Sequence, residues 1–337
     1  MFIRSGYMGL IQYLNNANTA VMIGMCKNAG KTTAMNSLID ELAEDSSKTV
    51  ALTSIGRDGE SRDLVTGTDK PAIYMYEGMI AATVDSLLNV CDVSREIIGL
   101  SGMYTSMGQV VIFKAHSDGF VQLAGPSIVE QMSALKTMLF ELGADFCIID
   151  GALARRSPAA SSAGGVCILS TGASLGRDID SVVDETAFAA EILSLGSMDA
   201  PGRSGGKFTL FSGGEVFATE EMQELNLLLK KRPEKKAVVL CEGAFTQSHA
   251  EQLHKGGADK EGLTILASDG SRYLLKSDMY GSLKAAGVSF AVRNALRLAA
   301  ITVNPVSAGG WKFDKQEFFD KMSMKSNVPV LNVKDND

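Results

Sequence analysis

The sequence predicts an α/β protein with a doubly wound, mostly parallel sheet and a second, smaller α/β domain. Three observations carry that expectation. Short apolar runs alternate with stretches of helical period along the chain, the pattern of strands joined by crossover helices. A glycine-punctuated loop joins the first such run to the first such stretch. Glycine is also abundant, 34 of 337 residues with no low-complexity tract, which suits βα turns rather than linkers.

The first strand is the apolar run Thr19–Ile23. Met35, Leu38, Ile39 and Leu42 then fall on one face of a helix, at the i, i+3, i+4, i+7 spacing. Thr49–Ile55 is the next buried strand, which completes a βαβ unit with the glycine loop at its first turn. A less regular region follows, with strands expected at 72–76 and 109–115 and a helical stretch near 81–90. Ser127 is placed to cap a helix whose apolar stripe runs from Ile128 to Leu142 and stops at Gly143. Phe146–Asp150 is a strand ending in an acid, and Val166–Ser170 is another, followed by the loop Thr171–Ser174 and a helix over 178–195.

Gly196–Gly206 is rich in Gly, Ser and Pro and marks the domain boundary, dividing the chain into 1–200 and 207–337. Beyond it, strands are expected at 237–241, 263–267, 288–292, 299–303 and 328–333, with helices at 220–231, 247–255, 276–286 and 314–322. This half carries no second glycine loop of the same kind and reads as a domain for a substrate or partner. No internal repeat is evident.

The loop itself reads Gly24-Met25-Cys26-Lys27-Asn28-Ala29-Gly30-Lys31-Thr32-Thr33. Strand, glycine loop, Gly-Lys-Thr and helix in that order are how a P-loop NTPase holds the phosphates of ATP or GTP. Main-chain N–H groups from Gly24 through Lys27, Asn28, Ala29 and Gly30 to Thr33 meet phosphate oxygens at the positive end of the helix. In that arrangement Lys31 would bridge the β- and γ-phosphates, and the Thr32 hydroxyl would take one position on Mg²⁺. The plain alternative is a glycine turn that happens to carry Lys-Thr; the flanking strand, helix and second strand favour the nucleotide. The guanine-reading Asn-Lys-x-Asp signature is absent, which favours ATP.

Asp150, at the end of an apolar strand, is a candidate for holding Mg²⁺ through one of its waters, against the alternative that Asp150-Gly151 is ordinary turn chemistry. Arg57-Asp58-Gly59-Glu60 follows the second strand, on the edge where open α/β sheets bind ligands. There Asp58 could hold metal or orient the attacking water, Arg57 could neutralise developing charge and Glu60 could position water, or all could form an exposed turn. Lys31, Asp58 and Asp150 are thus the catalytic candidates, and Thr32, Asp58 and Asp150 the metal candidates. Softer candidates are the loops Ser117-Asp118-Gly119, Arg155-Arg156, Glu242-Gly243-Ala244 and Asn304-Pro305. The three histidines, His116, His249 and His254, are too scattered for a triad or metal cluster.

Composition narrows the field. Hydrophobic residues are 45% and charged residues 21%, as in a globular chain, and 337 residues suffice for two domains. A formal net charge of −7 with no basic cluster argues against a nucleic-acid surface. No run approaches the ~20 apolar residues that cross a bilayer, and Met1–Leu14 lacks a signal-peptide layout. The five cysteines are widely spaced with no C-x-x-C pair, the pattern of a reducing cytoplasm rather than a disulfide frame or zinc site. Cys26 lies in the loop, where it is either oxidation-sensitive or a plain small residue.

Five residues separate Gly24 from Gly30, one more than in the common form of the loop. Gly-x5-Gly-Lys-Thr resembles the loops of dethiobiotin synthetase and the cobyrinic acid amide synthetases, in the branch of P-loop proteins that includes the signal-recognition-particle and cell-division ATPases. Some members of that branch carry an early loop lysine that reaches the nucleotide of a second subunit. Lys27 stands four residues before Lys31 rather than the usual five; it is a candidate for that role, which would imply a homodimer, or a solvated loop lysine.

The phrases Gly24–Thr33 (GMCKNAGKTT), Thr53–Glu60 (TSIGRDGE), Asp63–Thr68 (DLVTGT), Ser117–Ser127 (SDGFVQLAGPS), Ile149–Arg155 (IDGALAR) and Ser170–Ser174 (STGAS) together resemble one bacterial family. It is the P-loop subunit of the lysine 5,6-aminomutase reactivase, and the likeness covers most of the first two hundred residues. The resemblance implies an ATPase that opens an adenosylcobalamin-dependent radical enzyme so that damaged cobalamin leaves and intact cofactor enters. Its implied partners are the mutase and a second subunit similar to the mismatch-repair MutS ATPases. The nucleotide role carries over onto Gly24, Gly30, Lys31, Thr32 and Thr33, and onto Asp58 and Asp150. Two other readings stay open: an ATP-dependent ligase of the dethiobiotin-synthetase kind acting on a small carboxylate, and a nucleotide-binding module without hydrolysis.

Overall fold

The computed structural model describes residues 9–45, 47–56, 73–151, 165–199, 202, 205–232 and 234–332. Along the chain the elements are β1 (Thr19–Gly24), α1 (Lys31–Ala43), β2 (Val50–Ser54), β3 (Ile73–Met75), β4 (Ile80–Val84), β5 (Arg95–Thr105), β6 (Gly108–Ala115), β7 (Gly119–Val121) and α2 (Val129–Glu141). Next come β8 (Phe146–Asp150), β9 (Val166–Gly172), α3 (Ile179–Leu193), β10 (Phe208–Ser212), β11 (Glu215–Thr219), α4 (Met222–Lys231), β12 (Ala237–Cys241), β13 (Phe245–Thr246) and α5 (Gln247–Lys255). The chain closes with β14 (Leu263–Ala267), β15 (Tyr273–Leu274), α6 (Ser277–Ala285), β16 (Ser289–Val292), β17 (Arg297–Asn304), α7 (Lys315–Lys325) and β18 (Val330–Asn332).

The chain divides into two units, one of Met1–Ala187 with Arg297–Asp337 and one of Phe188–Leu296. Among the described residues of the first, nine strands form a mixed, mostly parallel sheet in the order β18-β17-β9-β1-β8-β2-β4-β6-β5. The pairs from β18 to β4 are parallel, and β6 runs antiparallel to both β4 and β5. β1, β2, β4 and β9 are buried at every residue, as befits parallel strands covered on both faces.

Strand periodicity decides which side chains meet α1. Ala20 and Met22 of β1, Val50 and Leu52 of β2, Phe146 and Ile148 of β8, and Val166 and Ile168 of β9 share one core with Met35, Leu38, Ile39 and Leu42. The residues between them face the other side of the sheet. Continuing that alternation puts Ser54, Asp150, Ser170, Thr302 and Asn304 on the α1 face, at the carboxyl ends of their strands.

Three expectations change. The stretch expected to be helical near 81–90 is instead β4 followed by a 3-10 turn at Asp85–Val90. Its alanines favour a helix in isolation, but Ala81 and Ala82 are fully buried inside the sheet, and that environment overrides propensity. The residue capping α2 is Ile128, with no side-chain cap bond, rather than Ser127. The third concerns the last forty residues, which the sequence assigns to a second domain over 207–337. Residues 297–304 form β17 beside β9, and β18 pairs with β17, so this segment belongs to the first sheet. Apolar strands look alike in sequence; which sheet edge receives them depends on pairings that no local pattern encodes.

The unit Phe188–Leu296 is itself α/β. Its sheet has the order β11-β10-β12-β14-β16, with β12, β14 and β16 parallel and a β10–β11 hairpin on one side, turning through Gly213-Gly214. Leu225 and Leu229 of α4, Leu253 of α5 and Leu283 of α6 pack on Phe208, Val239 and Ile265 of that sheet. No helix among the described residues of the chain is long and apolar enough to cross a membrane.

Candidate functional site

The sheet ends β1 at Gly24, and the chain turns through Met25–Gly30 into α1. The Met25 N–H donates to the Ser170 carbonyl at 2.8 Å, so the loop leaves the sheet still tied to β9. Asn28 (φ 61°) and Gly30 (φ 92°) are both in the left-handed region. A side chain at Gly30 would be strained by that φ and would also place its Cβ 2.9 Å from the Asn304 Cβ. Gly30 is the N-cap of α1 and no side chain caps it. Gly30 thus brings no side-chain acceptor to the first N–H groups of the helix, whose partial positive charge favours an anion.

Lys31 is the first residue of α1 and Asp150 the last of β8. Their side chains meet, Nζ to Oδ1 at 2.5 Å, each about a quarter exposed. Lys31 Nζ also donates to the Gly151 carbonyl at 2.6 Å. Asp150 is held from two strands: its carbonyl accepts the Ile55 N–H at 2.8 Å and the Ser54 hydroxyl at 3.2 Å, and the next residue, Gly151, donates to Met22 of β1 at 2.9 Å. Thr32 and Thr33 are half-buried in the first turn of α1. Ala29 is buried, while Lys27 and Asn28 are exposed on the outside of the loop.

β17 contributes residues whose part in this site is not legible locally. Thr302 donates to the Ser170 hydroxyl at 2.8 Å, and the Asn304 amide donates to the Asn28 carbonyl at 3.3 Å. Beyond β17, the Trp311 indole N–H lies 3.0 Å from the Ala173 carbonyl and 3.3 Å from that of Gly176. The Arg177 guanidinium stacks 4.8 Å from the Trp311 ring centre. The signal available in the sequence was Asn304-Pro305 at the end of an apolar strand, one strand-end loop among several.

Cys26 is half-buried, and its thiol is pushed up first by burial and then by the Glu185 carboxylate, which disfavours the thiolate. Asp58, Arg57, Glu60, Arg155 and Arg156 lie outside the described residues. Ser117–Gly119 follows β6, which runs antiparallel to β4 with Lys114 opposite Ile80. That loop therefore sits at the amino end of the parallel strands, away from Gly24, and Asp118 there accepts the Glu77 N–H at 2.8 Å. Glu242–Ala244 follows β12 in the other unit. Among the described residues, no cluster of three or more His, Cys, Asp or Glu could hold a metal by protein ligands alone.

The residue types present suit a nucleotide phosphate chain with its magnesium: Lys31 and Asp150 meet at the carboxyl end of β8, and Thr32 lies in the first turn of α1, next to Lys31 in the chain. Magnesium bound mainly by water and phosphate needs only one or two such protein groups. No family model, curated protein or solved structure matches this chain.

Proposed function

We propose that this protein binds and hydrolyses ATP at the loop Gly24–Thr33 and acts as the P-loop subunit of a reactivating factor for lysine 5,6-aminomutase. The observation that supports nucleotide chemistry is the meeting of Lys31, at the head of α1, with Asp150, at the carboxyl end of the neighbouring strand β8. A cation and a carboxylate at the mouth of an uncapped helix can exchange partners. With nucleotide bound, Lys31 would turn to the phosphates, and Asp150 would be free to hold a water on the metal. Thr32 would supply its hydroxyl to the same metal, and the loop amides would neutralise phosphate charge with little reorganisation. Mg²⁺ would draw negative charge from the β- and γ-phosphates. Asp58, named by the sequence for water positioning or metal, remains part of the proposal.

The reactivase role rests on the phrases at 24–33, 53–60, 63–68, 117–127, 149–155 and 170–174. Its partners would be the mutase and a second, MutS-like ATPase, in the cytoplasm. A loop ordered by γ-phosphate contacts gives two states that a partner can sense. The expected behaviour is slow ATP turnover alone and faster turnover with the inactivated mutase and second subunit. Lys31→Ala should abolish ATP binding while the circular dichroism spectrum is kept. Turnover that is indifferent to both proteins, yet appears when small carboxylates are supplied, would instead identify an ATP-dependent ligase. Lys31-dependent binding with no phosphate release would identify a regulatory module.

A further inference from the structure

Asn304 ends β17 directly opposite Gly172 of β9. Its own backbone is fixed, since its carbonyl accepts the Ala173 N–H at 2.9 Å. Its side chain is fixed as well: Oδ1 accepts the Val306 N–H at 3.2 Å, which leaves the Nδ2 donors facing the other way. Nδ2 donates to the carbonyl of Asn28, a residue 276 positions away in the chain. Asn28 is one of the two left-handed residues of the loop, and the other, Gly30, lies against the Asn304 Cβ.

We propose that Asn304 is a positioning residue for the phosphate loop, setting the orientation of the Asn28–Ala29 peptide; the inference rests on the nucleotide reading above. In a planar trans peptide the carbonyl and the following N–H point in opposite directions. An Asn28 carbonyl held on Asn304 therefore turns the Ala29 N–H away from β17. Without that donor, Asn28 can leave the left-handed region, which asparagine tolerates better than most residues but occupies less readily than glycine. The peptide plane is then free to rotate, and a main-chain donor for phosphate loses its preset direction. The nucleotide site is thus completed by a strand from the far end of the chain, and Gly30 is small so that Asn304 can pass beneath it.

The test uses the full-length protein, a fluorescent ATP analogue with Mg²⁺, and thermal melting of each variant. Asn304→Asp keeps the shape and the acceptor for Val306 but removes the donor; Asn304→Ala removes the whole side-chain amide. Both should bind the analogue about tenfold more weakly, the size of one hydrogen bond, with melting temperatures near that of the wild type. On lowering the pH from about 7 towards about 4, close to the ordinary aspartate pKa of about 3.9, the carboxyl introduced by Asn304→Asp gains a proton in about half of the molecules and there donates again. Its affinity should recover relative to wild type, while that of Asn304→Ala should not. Wild-type affinity in Asn304→Ala overturns the proposal, since any loss in Asn304→Asp would then be charge repulsion. Absence of recovery in Asn304→Asp at lower pH also overturns it. Failure of the wild type to bind the analogue would overturn the nucleotide reading itself and this inference with it.

Discussion

Lys31 Nζ stands 2.5 Å from Asp150 Oδ1, tying the first residue of α1 to the last residue of β8. Two consequences follow from their shared position on the α1 face of the sheet. The lysine is held at the floor of the loop rather than waving in solvent, and the carboxylate is neutralised by a group that a triphosphate also attracts.

Removing the carboxylate charge should therefore release the lysine. Asp150→Asn is expected to raise the affinity for metal-free ATP by about three- to tenfold, equivalent to ~1 kcal/mol. It should at the same time suppress turnover in Mg²⁺ by about two orders of magnitude, the scale of losing one electrostatic group. Calorimetric titration in EDTA and phosphate release in Mg²⁺ measure the two effects. Weaker metal-free binding by this variant would show that the pair does not compete with nucleotide.

Gly30→Ala tests the loop backbone. With φ at 92° and Asn304 Cβ 2.9 Å from the new methyl, the substitution should destabilise the protein by ~1–2 kcal/mol. ATP affinity should fall further than that loss explains, because the loop must shift to make room. Urea unfolding alongside nucleotide titration separates the two; an unaltered protein would mean the loop tolerates a side chain there.

The unit Phe188–Leu296 should respond to pH through His249. The ring accepts the Thr246 N–H on Nδ1 at 3.2 Å while the His249 N–H donates to the Thr246 hydroxyl at 3.3 Å, a reciprocal cap on α5. Burial first, and then the Lys207 charge, hold the imidazole below its ordinary pKa. The unfolded chain therefore binds this proton more readily than the folded one. Stability from this site is full above the unfolded value of about 6.5 and is lost as pH falls below it. Melting curves from pH 8 to 5 should show that loss in the wild type. His249→Gln keeps an acceptor for the Thr246 N–H without titrating, and its curve should be flatter; parallel curves would rule His249 out.

Thiol labelling reports on both units. Cys147, Cys167 and Cys241 are buried, with burial pushing the Cys147 and Cys241 thiols up to about 12 and the Cys167 thiol up as well. Cys26 and Cys91 are half-buried and also raised, chiefly by burial. A disulfide reagent near pH 8 should react slowly with two thiols in the native protein and with all five after unfolding. On the nucleotide reading, ATP with Mg²⁺ should slow the Cys26 reaction alone. Protection of Cys91 instead would point to a different binding place.

The glycine loop, the helix behind it and the acid at the end of Phe146–Asp150 were all legible in local patterns. The four apolar residues of α1 are buried, and Asp150 lies on the face that periodicity assigns it. Such features depend on residues within a turn or two of one another, so spacing alone reveals them. Residues 81–84 defeated the same logic because their burial in the middle of a sheet outweighs the helical preference of alanine. β5 and the β10–β11 hairpin were not among the expected strands either.

What stayed hidden were relations between distant segments. Local pattern marks 297–304 as a strand and Asn304 as a strand-end residue, yet nothing nearby in the chain says that its neighbour is β9. Placement in the first sheet and the hydrogen bond from Asn304 to Asn28 arise from parallel pairing and from the shared packing of α1 against four strands. Periodicity reports which face of a segment is apolar; only the assembled sheet reports what that face, and the polar residue at its end, will meet.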